Sequence, residues 1–300
     1  MTGFPRRVAF SVLACLVVLV SGPLPALARG STTTASGNDI SWPQCGGSYP
    51  QGQAFGIVGV NDGLANIENP CFAGELSWAW TSTGNSAPGV VPKAALSVNT
   101  SDPGQVVPAV ADWPTSNSDP NGVSESPGST NADPFGACAA SNSTACAWQY
   151  GWDRAIQDMF WLIATSPIGG SNLPSAYAWW LDVETVNTWE TGSSGLANNL
   201  ADLQGMVAAF SNTTEVSSAG VHVGGATSVG LYSTSAQWNQ VTGNPGAAGL
   251  GKLAGLPDWI PGARTLSAAQ SNCSLKGFTG VVTITQWFAK PYDADYACKV

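Results

Sequence analysis

Asp182 and Glu184 are the residues of this 300-residue chain whose types and spacing most clearly suit chemistry. Residues 176–184 read AYAWWLDVE, and the aromatic and branched side chains predict a buried strand that ends in the two acids. Because strand side chains alternate, both carboxylates point to one face, with backbones about 6.5 Å apart. Carboxyl pairs at about 5–5.5 Å suit retaining glycoside hydrolysis, and wider pairs suit inversion.

The same pair also has an interpretation without chemistry. A D-x-E sequence at a strand end can cap a helix or take part in an ion pair, and Arg154 and Arg264 are the partners that we consider. Pairing of Glu184 with either arginine inside the core would argue against catalysis. Convergence of Asp39, Asp182 and Glu184 on one open cleft would argue for it.

The N-terminal residues have the pattern of a secretory signal peptide. Arg6-Arg7 is a positive n-region, residues 8–20 are apolar, and Ala26-Leu27-Ala28 is a small-residue cleavage site. A transmembrane anchor is the alternative, but the apolar run is short for a membrane span and Gly22-Pro23 ends it. We therefore expect residues 1–28 to be removed and the protein to be secreted.

The remaining chain is strongly acidic. The signal segment holds two of the ten basic residues and none of the 19 acidic residues, so eight basic residues remain and the formal charge is −11. Such a surface repels the phosphates of nucleic acid, which argues against nucleic acid as a partner. No later stretch is long and apolar enough to span a membrane, so we expect no membrane contact after signal removal.

Cysteine usage agrees with export. Cys15 lies in the expected signal peptide, and the remaining cysteines are even in number, which is typical of disulfide-bonded exported proteins. Many pairings are possible, and sequence proximity favours three of them: Cys45–Cys71, Cys138–Cys146 and Cys273–Cys298.

Metal and cofactor chemistry has no support in the sequence. There is no CxxC motif and the single histidine is His222, which argues against a zinc site and a Ser-His-Asp hydrolase. His222 lies near Gly and Ser residues and fits a loop or strand edge. No GxGxxG follows a predicted strand and no P-loop is present. We therefore expect neither a metal nor a cofactor.

Predicted strands and helices alternate along the chain. This order predicts an α/β protein with a parallel sheet, and about seven or eight short strands fit a (β/α) TIM-type barrel with disulfide-stapled loops. The strand patterns cover residues 38–42, 55–61, 93–99, 176–184, 228–233, 257–263 and 280–287. The helical patterns cover 71–80, 147–165 and 196–210, and residues 235–241 are expected to form a helix or a turn.

The predicted domain is preceded by a leader and interrupted by a loop. Residues 29–37 are expected to be a flexible leader, and residues 38–300 to form a single barrel domain. Residues 100–146 are rich in Pro, Ser, Asn, Asp and Gly without a sustained period, which predicts a long loop insertion stapled by Cys138–Cys146. Residues 293–296 are expected to be tethered through Cys298 near the C-terminus.

Polar and aromatic residues follow the predicted strands at the ends that carry the chemistry of (β/α) barrels. The pattern predicts one site at the barrel mouth. From the first strand to the last, its candidate residues are Asp39, Asn61, Asp62, Asn99, Asp182, Glu184, Tyr232, Trp259, Gln286 and Trp287.

This ordered set of motifs resembles glycoside hydrolase family 25, the secreted lysozymes (N-acetylmuramidases) of bacteria and phages. The resemblance covers most of the chain between Asp39 and Asp295 and implies a glycoside-hydrolase-like barrel that cleaves the glycan strands of cell-wall peptidoglycan. The motifs that carry it are Asp39-Ile40-Ser41, Leu181-Asp182-Val183-Glu184, Leu231-Tyr232-Ser233-Thr234, the Trp259 strand, Gln286-Trp287 and a terminal acid.

By this resemblance, Glu184 corresponds to the general acid, Asp182 to the other carboxylate of the D-x-E motif, and Asp39 to the acid of the first strand. The terminal acid of the family falls on Asp293 or Asp295. The remaining matched positions are expected to bind substrate: Asp62, Tyr232, Trp259, Gln286, Trp287 and Asp295.

The residues themselves suggest how the roles divide. Glu184 lies furthest along the strand, where neighbouring aromatic side chains would desolvate it, and Asp182 lies one step deeper, where it could hold a negative charge. Trp180 shares strand parity with both acids and, like the early Trp42, is a candidate to stack on a sugar ring.

The chain departs from the family pattern at the third strand, where Ser97-Val98-Asn99 replaces a Tyr-His pair. The insertion at residues 100–146 also has no counterpart in the family. Two other functions therefore stand beside hydrolysis. They are a catalytically inactive carbohydrate-binding barrel and a cell-surface interaction protein that uses the 100–146 loop as its contact.

Overall fold

A computed structural model describes residues 36–84, 92–104, 112–118, 132–212 and 223–298. The predicted signal peptide, residues 29–35 of the predicted leader, and His222 lie outside the described residues. Of the predicted insertion at 100–146, the structure describes residues 100–104, 112–118 and 132–146.

Eight strands close into a barrel, and each strand pairs with its neighbours in chain order. Each adjacent pair from β1 to β7 is parallel. The last strand, β8, is antiparallel to both of its neighbours, β7 and β1. The bounds are β1 Ser36–Ile40, β2 Gly56–Gly59, β3 Ala94–Asn99, β4 Ala178–Asp182, β5 Ser228–Tyr232, β6 Asp258–Ala263, β7 Val282–Ala289 and β8 Tyr292–Ala297.

In the described residues, five α-helices connect strands, with bounds α1 Phe72–Ala79, α2 Thr144–Ala164, α3 Gly192–Phe210, α4 Ser235–Thr242 and α5 Leu266–Asn272. Side-chain caps define several starts. The Ser143 hydroxyl accepts from the Cys146 N–H at α2, and Thr234 forms a reciprocal capping box with Gln237 at α4. The helix α5 was not predicted, and α2 begins three residues earlier than the predicted helix at 147–165.

The predicted closed barrel of strands and helices is confirmed, but the prediction of a uniformly parallel sheet was wrong for β8. A parallel neighbour needs a crossover of a dozen or more residues, and only Lys290-Pro291 separates β7 from β8. The chain therefore turns back on itself, and residues 293–296 lie in β8, directly before the Cys298 through which they were predicted to be tethered. Between β1 and β2 there is likewise no α-helix, only a short 3₁₀ helix at Trp42–Gln44.

The two faces of the sheet bury separate apolar clusters. Trp180 points into the barrel, where it packs with Phe55, Ile57 and Ile284. The adjacent Trp179 points outward and stacks on Phe210 of α3 with ring centroids 4.5 Å apart. This opposite orientation of neighbouring residues is the strand alternation expected from the sequence.

Helices α2 and α3 pack against each other and against the outer face of the barrel. Gly151 and Gly205 permit this approach, because a Cβ at either position would collide with backbone of the other helix. The large side chains Trp148 and Trp152 of α2 are fully buried there, stacked on each other at 5.3 Å. The polar mouth of the barrel thus rests on a rigid, densely packed scaffold.

All three disulfides favoured by sequence proximity are present. Cys45–Cys71 joins the β1–β2 connection to the start of α1, and Cys138–Cys146 staples the insertion to the first turn of α2. Cys273–Cys298 ties the end of α5 to the residue that follows β8. Three disulfides fit a protein of an oxidising, extracellular compartment.

The N-terminal boundary of the fold lies slightly earlier than predicted. Ser36 and Gly37, assigned to the leader on sequence grounds, belong to β1 and pair with Tyr296 and Asp295 of β8. Within the described ranges, no helix combines the length and the apolarity that crossing a membrane requires.

Candidate active site

An open cavity of about 200 Å³ lies at the carboxyl ends of the parallel strands. Four carboxylates line it: Asp39, Asp182, Glu184 and Asp293. This is the end of the barrel at which the polar residues were predicted to meet.

The strand β4 places Asp182 between two polar neighbours. Its register sets Asn99 of β3 on one side and Tyr232 of β5 on the other. The Asp182 carbonyl accepts from the Thr100 hydroxyl at 2.6 Å, and the Val183 N–H donates to the Tyr232 carbonyl at 2.8 Å. These bonds hold the end of β4 rigidly on both sides.

Glu184 lies two residues beyond the end of β4, and its side chain still reaches the cavity. Its carbonyl accepts from the Trp189 indole N–H at 2.9 Å, which fixes the backbone of the turn. Its Oε1 lies 3.5 Å from the Nε2 of Gln237 on α4. The acid is therefore held at the rim, half-buried, beside a neutral amide.

Asp39 is held by a chain of hydrogen bonds that crosses the barrel. The Tyr232 hydroxyl lies 3.1 Å from Gln286 Oε1, and Gln286 Nε2 donates to Asp39 Oδ2 at 3.0 Å. Residues on β5, β7 and β1 are thus linked. Burial raises the pKa of Asp39 to about 6, the charge of Asp293 adds to the rise, and the Gln286 bond opposes it.

Asp182 has a pKa well above its ordinary value, mainly through burial and then through the charges of Glu184 and Asp39. By surface area Asp39 and Asp182 are only half-buried, because solvent in the cavity touches them. Protein atoms nevertheless surround both carboxyl groups closely, so desolvation dominates. Burial and the neighbouring carboxyl groups therefore oppose the negative charge that the sequence suggested for Asp182.

The two candidates for the terminal acid lie at different depths. Asp293 is half-buried and lines the cavity, and burial raises its pKa. Asp295 is fully buried on β8, flanked in register by Gly37 and Gln286. Burial, followed by the charge of Asp39, holds the pKa of Asp295 well above its usual range.

Tyr232 and Trp259 form the aromatic part of the cavity wall, with ring centroids 4.5 Å apart in an edge arrangement. Burial and the surrounding carboxylates, Asp182 foremost, keep the pKa of Tyr232 well above its ordinary value, so it remains a neutral hydroxyl. Trp180 lies beneath them, 2% exposed and edge-on to Trp259 at 5.8 Å. It packs the barrel interior and does not line the cavity.

Two other predicted residues lie away from the cavity. Trp287 follows Gln286 on β7, and strand alternation turns it to the outer face, half-buried. Asp62 does not line the cavity, whereas its neighbour Asn61 does. Trp42 is 45% exposed and lies against Gly63 near the mouth. A Cβ placed on Gly63 would be 3.0 Å from the Trp42 indole nitrogen.

Three residues to which the sequence assigned no individual role take part in the site. Asn61 and Asn99 line the cavity, and Gln237 contacts Glu184. The first two carried a signal, because each follows a predicted strand and was placed at the barrel mouth, but neither was given a catalytic or substrate-binding role. Gln237 carried none, since only the packing of α4 brings it near the mouth.

Glu184 is not engaged by either arginine that could have explained it structurally. Among the described residues, Arg154 forms an ion pair with Asp112 at 3.6 Å, and neither Arg154 nor Arg264 pairs with Glu184. In the part of the chain that the structure describes, no group of three or more His, Cys, Asp or Glu side chains has the spacing to hold a metal ion.

Comparisons with protein-family models, with curated proteins and with solved structures found no match for this chain. Function is therefore inferred from the residues and from the geometry of the site.

Proposed function

We propose that this protein is a secreted glycoside hydrolase of the lysozyme type, with a glycoside-hydrolase-like variant of the TIM barrel. The observation that carries the proposal is the convergence of Asp39, Asp182, Glu184 and Asp293 on one open cavity at the carboxyl ends of the strands. Hydrolysis of a glycosidic bond needs one carboxylic acid and one carboxylate on either side of the scissile bond.

Glu184 is the proposed general acid. It stands at the rim, where a glycosidic oxygen can reach it, and its backbone is fixed by Trp189. In the reaction Glu184 donates its proton to the leaving oxygen as the bond to the anomeric carbon breaks. Water then supplies a hydroxyl to that carbon, and its proton returns to the carboxyl groups of the site.

Asp182 and Asp39 are the proposed source of negative charge. Both lie deeper than Glu184 and face the cavity, so an ionised carboxylate there would stabilise positive charge at the anomeric carbon. Tyr232 and Gln286 keep Asp39 in place through the hydrogen bonds described above.

The proposed substrate is the glycan strand of bacterial cell-wall peptidoglycan. Support comes from the resemblance to family 25 and from the wall of Tyr232 and Trp259, since aromatic rings pack against sugars. A cavity of about 200 Å³ has room for little more than one sugar ring, so a polymer must extend over the rim. The exposed side chains Trp42, Leu64 and Val186 are available there.

The test is release of reducing ends from labelled peptidoglycan by the secreted protein and by Glu184→Gln. We expect the substitution to lower turnover by at least ~100-fold, the size typical of lost acid catalysis, with an unchanged unfolding temperature. Glu68→Gln is the matched control, because Glu68 is exposed and does not line the cavity.

Two outcomes would contradict the proposal. Undiminished turnover in Glu184→Gln removes Glu184 from the acid role. Retention of the unmodified protein on insoluble peptidoglycan without any release of reducing ends makes it a carbohydrate-binding barrel instead.

A further inference from the structure

Asn99 is the closest side-chain neighbour of the Asp182 carboxyl group on the β3 side. The two residues face each other in the register of β3 and β4, and both line the cavity. The Asn99 amide can be turned in two ways. In only one of the two orientations do both the nitrogen and the oxygen of the amide form hydrogen bonds. Nδ2 then donates to Asp182 Oδ2 at 3.2 Å, and Oδ1 accepts from the Gly63 N–H at 3.0 Å.

The backbone of Asn99 is fixed independently of this contact. Its N–H donates to Asn61 Oδ1 at 2.8 Å, and Asn61 Nδ2 donates in turn to Asp158 Oδ1 at 2.9 Å. Asp158 lies fully buried on α2. Asp158 and Asn61 thus hold the backbone of Asn99 from the helical layer, while its side-chain amide contacts Asp182 at the cavity.

The other groups that face Asp182 disfavour its negative charge. Glu184 and Asp39 are carboxyl groups that repel it, and Tyr232 directs its hydroxyl to Gln286 instead. Within the described residues, Asp182 Oδ1 has no hydrogen-bond partner. The Asn99 amide is therefore the side-chain donor that the described structure offers to an ionised Asp182.

We propose that Asn99 is a positioning residue whose amide donates to Asp182 Oδ2 and so favours the ionised form of Asp182 against its burial and the neighbouring carboxyl groups. This inference rests on the proposed function for its catalytic meaning. A hydrogen-bond donor that touches a carboxyl group stabilises its ionised form relative to its neutral form. Asn99 touches Asp182 and not Glu184.

The direct test follows the Asp182 carboxyl carbon by NMR in protein with ¹³C-labelled aspartate, using Asp182→Asn to assign its signal. We expect Asn99→Ala to raise the titration midpoint of Asp182 by about one to two pH units, because the lost bond favoured the charged form. Asn187→Ala is the matched control, since Asn187 reaches only the Asp182 carbonyl, at 3.4 Å. The titration midpoint of Asp182 in Asn187→Ala should equal that in the unmodified protein.

The kinetic test compares kcat and KM on a soluble glycan across pH. Asn99→Ala should move the acidic limb of kcat/KM to higher pH and lower kcat about tenfold or more, with KM within about twofold. If Asn99→Ala unfolds, Asn99→Ser supplies the same test, because its hydroxyl is too short to reach Asp182. If Asn99 had only a structural role, its substitution would lower the stability of the protein and leave the acidic limb of the kcat/KM profile at the same pH.

An Asp182 midpoint that is unchanged in Asn99→Ala or Asn99→Ser overturns the inference, whatever the activity. A shifted Asp182 midpoint in a protein that releases no reducing ends supports the inference about Asn99 and refutes the proposed function. The two proposals can therefore fail separately.

Discussion

Two groups of carboxyl side chains lie inside this protein, one at the barrel mouth and one beside helices α2 and α3. At the mouth, burial raises the pKa of Asp39 to about 6 and holds that of Asp182 well above its usual range. Beside the helices, burial followed by the charge of Glu190 raises the pKa of Asp102 to about 8. Asp202 also has a pKa well above normal, through burial and then the charge of Asp102.

Raised pKa values alone do not distinguish the two groups. The difference is access, because Asp39 and Asp182 line an open cavity whereas Asp102 and Asp202 are 0% exposed. Asp202 lies where α2 crosses α3 at Gly151, with no room for even a methyl group. A perturbed carboxyl group indicates a functional site only when a substrate can reach it.

The largest expected effect comes from the same isosteric change made in each group. Asp39→Asn should lower kcat on peptidoglycan about a thousandfold, since it removes a charge that faces the reacting bond. Asp102→Asn should leave kcat within about twofold, because Asp102 does not line the cavity. Steady-state kinetics of the two purified variants at one pH decides this. Equal losses would mean that access does not separate the groups.

The second prediction concerns stability and pH. Burial raises the pKa of Asp102 in the folded protein to about 8, above its ordinary value of 3.8, so its contribution to stability is fully present below about pH 4 and is lost as the pH rises towards 8. The cost is about 1.4 kcal/mol per pH unit, or roughly 3 kcal/mol between pH 5 and 7.

Asp102→Asn should remove the contribution of Asp102 to the pH dependence of the unfolding free energy, because the amide does not titrate. Urea unfolding of both proteins at several pH values measures it. Since other buried acids also contribute, the quantity to compare is the difference between the two curves. Parallel curves for the two proteins would show that Asp102 is not buried in its neutral form.

The smallest expected effect tests the hydrogen bonds that hold Asp39. Tyr232→Phe frees Gln286 Oε1 from its partner at 3.1 Å, so Gln286 should hold Asp39 less firmly. We expect kcat/KM to fall about tenfold, corresponding to roughly 1 kcal/mol for one hydrogen bond.

The control for this variant is Tyr296→Phe. Tyr296 lies on β8 next to the inward-facing Asp295, so alternation turns it to the outer face. It should leave kcat/KM unchanged. A Tyr232→Phe enzyme within about twofold of the unmodified protein would show that the Gln286 orientation does not depend on Tyr232.

Much of the fold could be predicted because the signals are local. Apolar runs bounded by turn residues marked β2 to β7, and helical spacing of apolar residues marked α2 and α3. The two elements that were missed lack such signals. The strand β8 contains Asp293 and Asp295, which read as polar and exposed, and α5 is a seven-residue helix without an apolar stripe.

The site could be predicted in outline because parallel strands bring their carboxyl ends together. Asp39, Asp182, Glu184 and Tyr232 follow strands, and the barrel places all four around one cavity. Trp180 was chosen from strand parity and Trp287 from its place at a strand end and from the family resemblance, and both lie outside that cavity. How deep Trp180 lies in the barrel, and whether Trp287 of β7 faces inward or outward, depend on the register between strands, which no local sequence pattern supplies.

The sequence by itself determined the closed barrel of alternating elements, the three disulfides and the pair of acids at the end of β4, because these follow from spacing along one chain. Only the tertiary structure decided which way β8 runs and which carboxyl groups open to solvent. It also decided which amide touches Asp182. Each of these depends on contacts between residues far apart in the chain, such as Asp39 with Gln286 and Asn61 with Asp158.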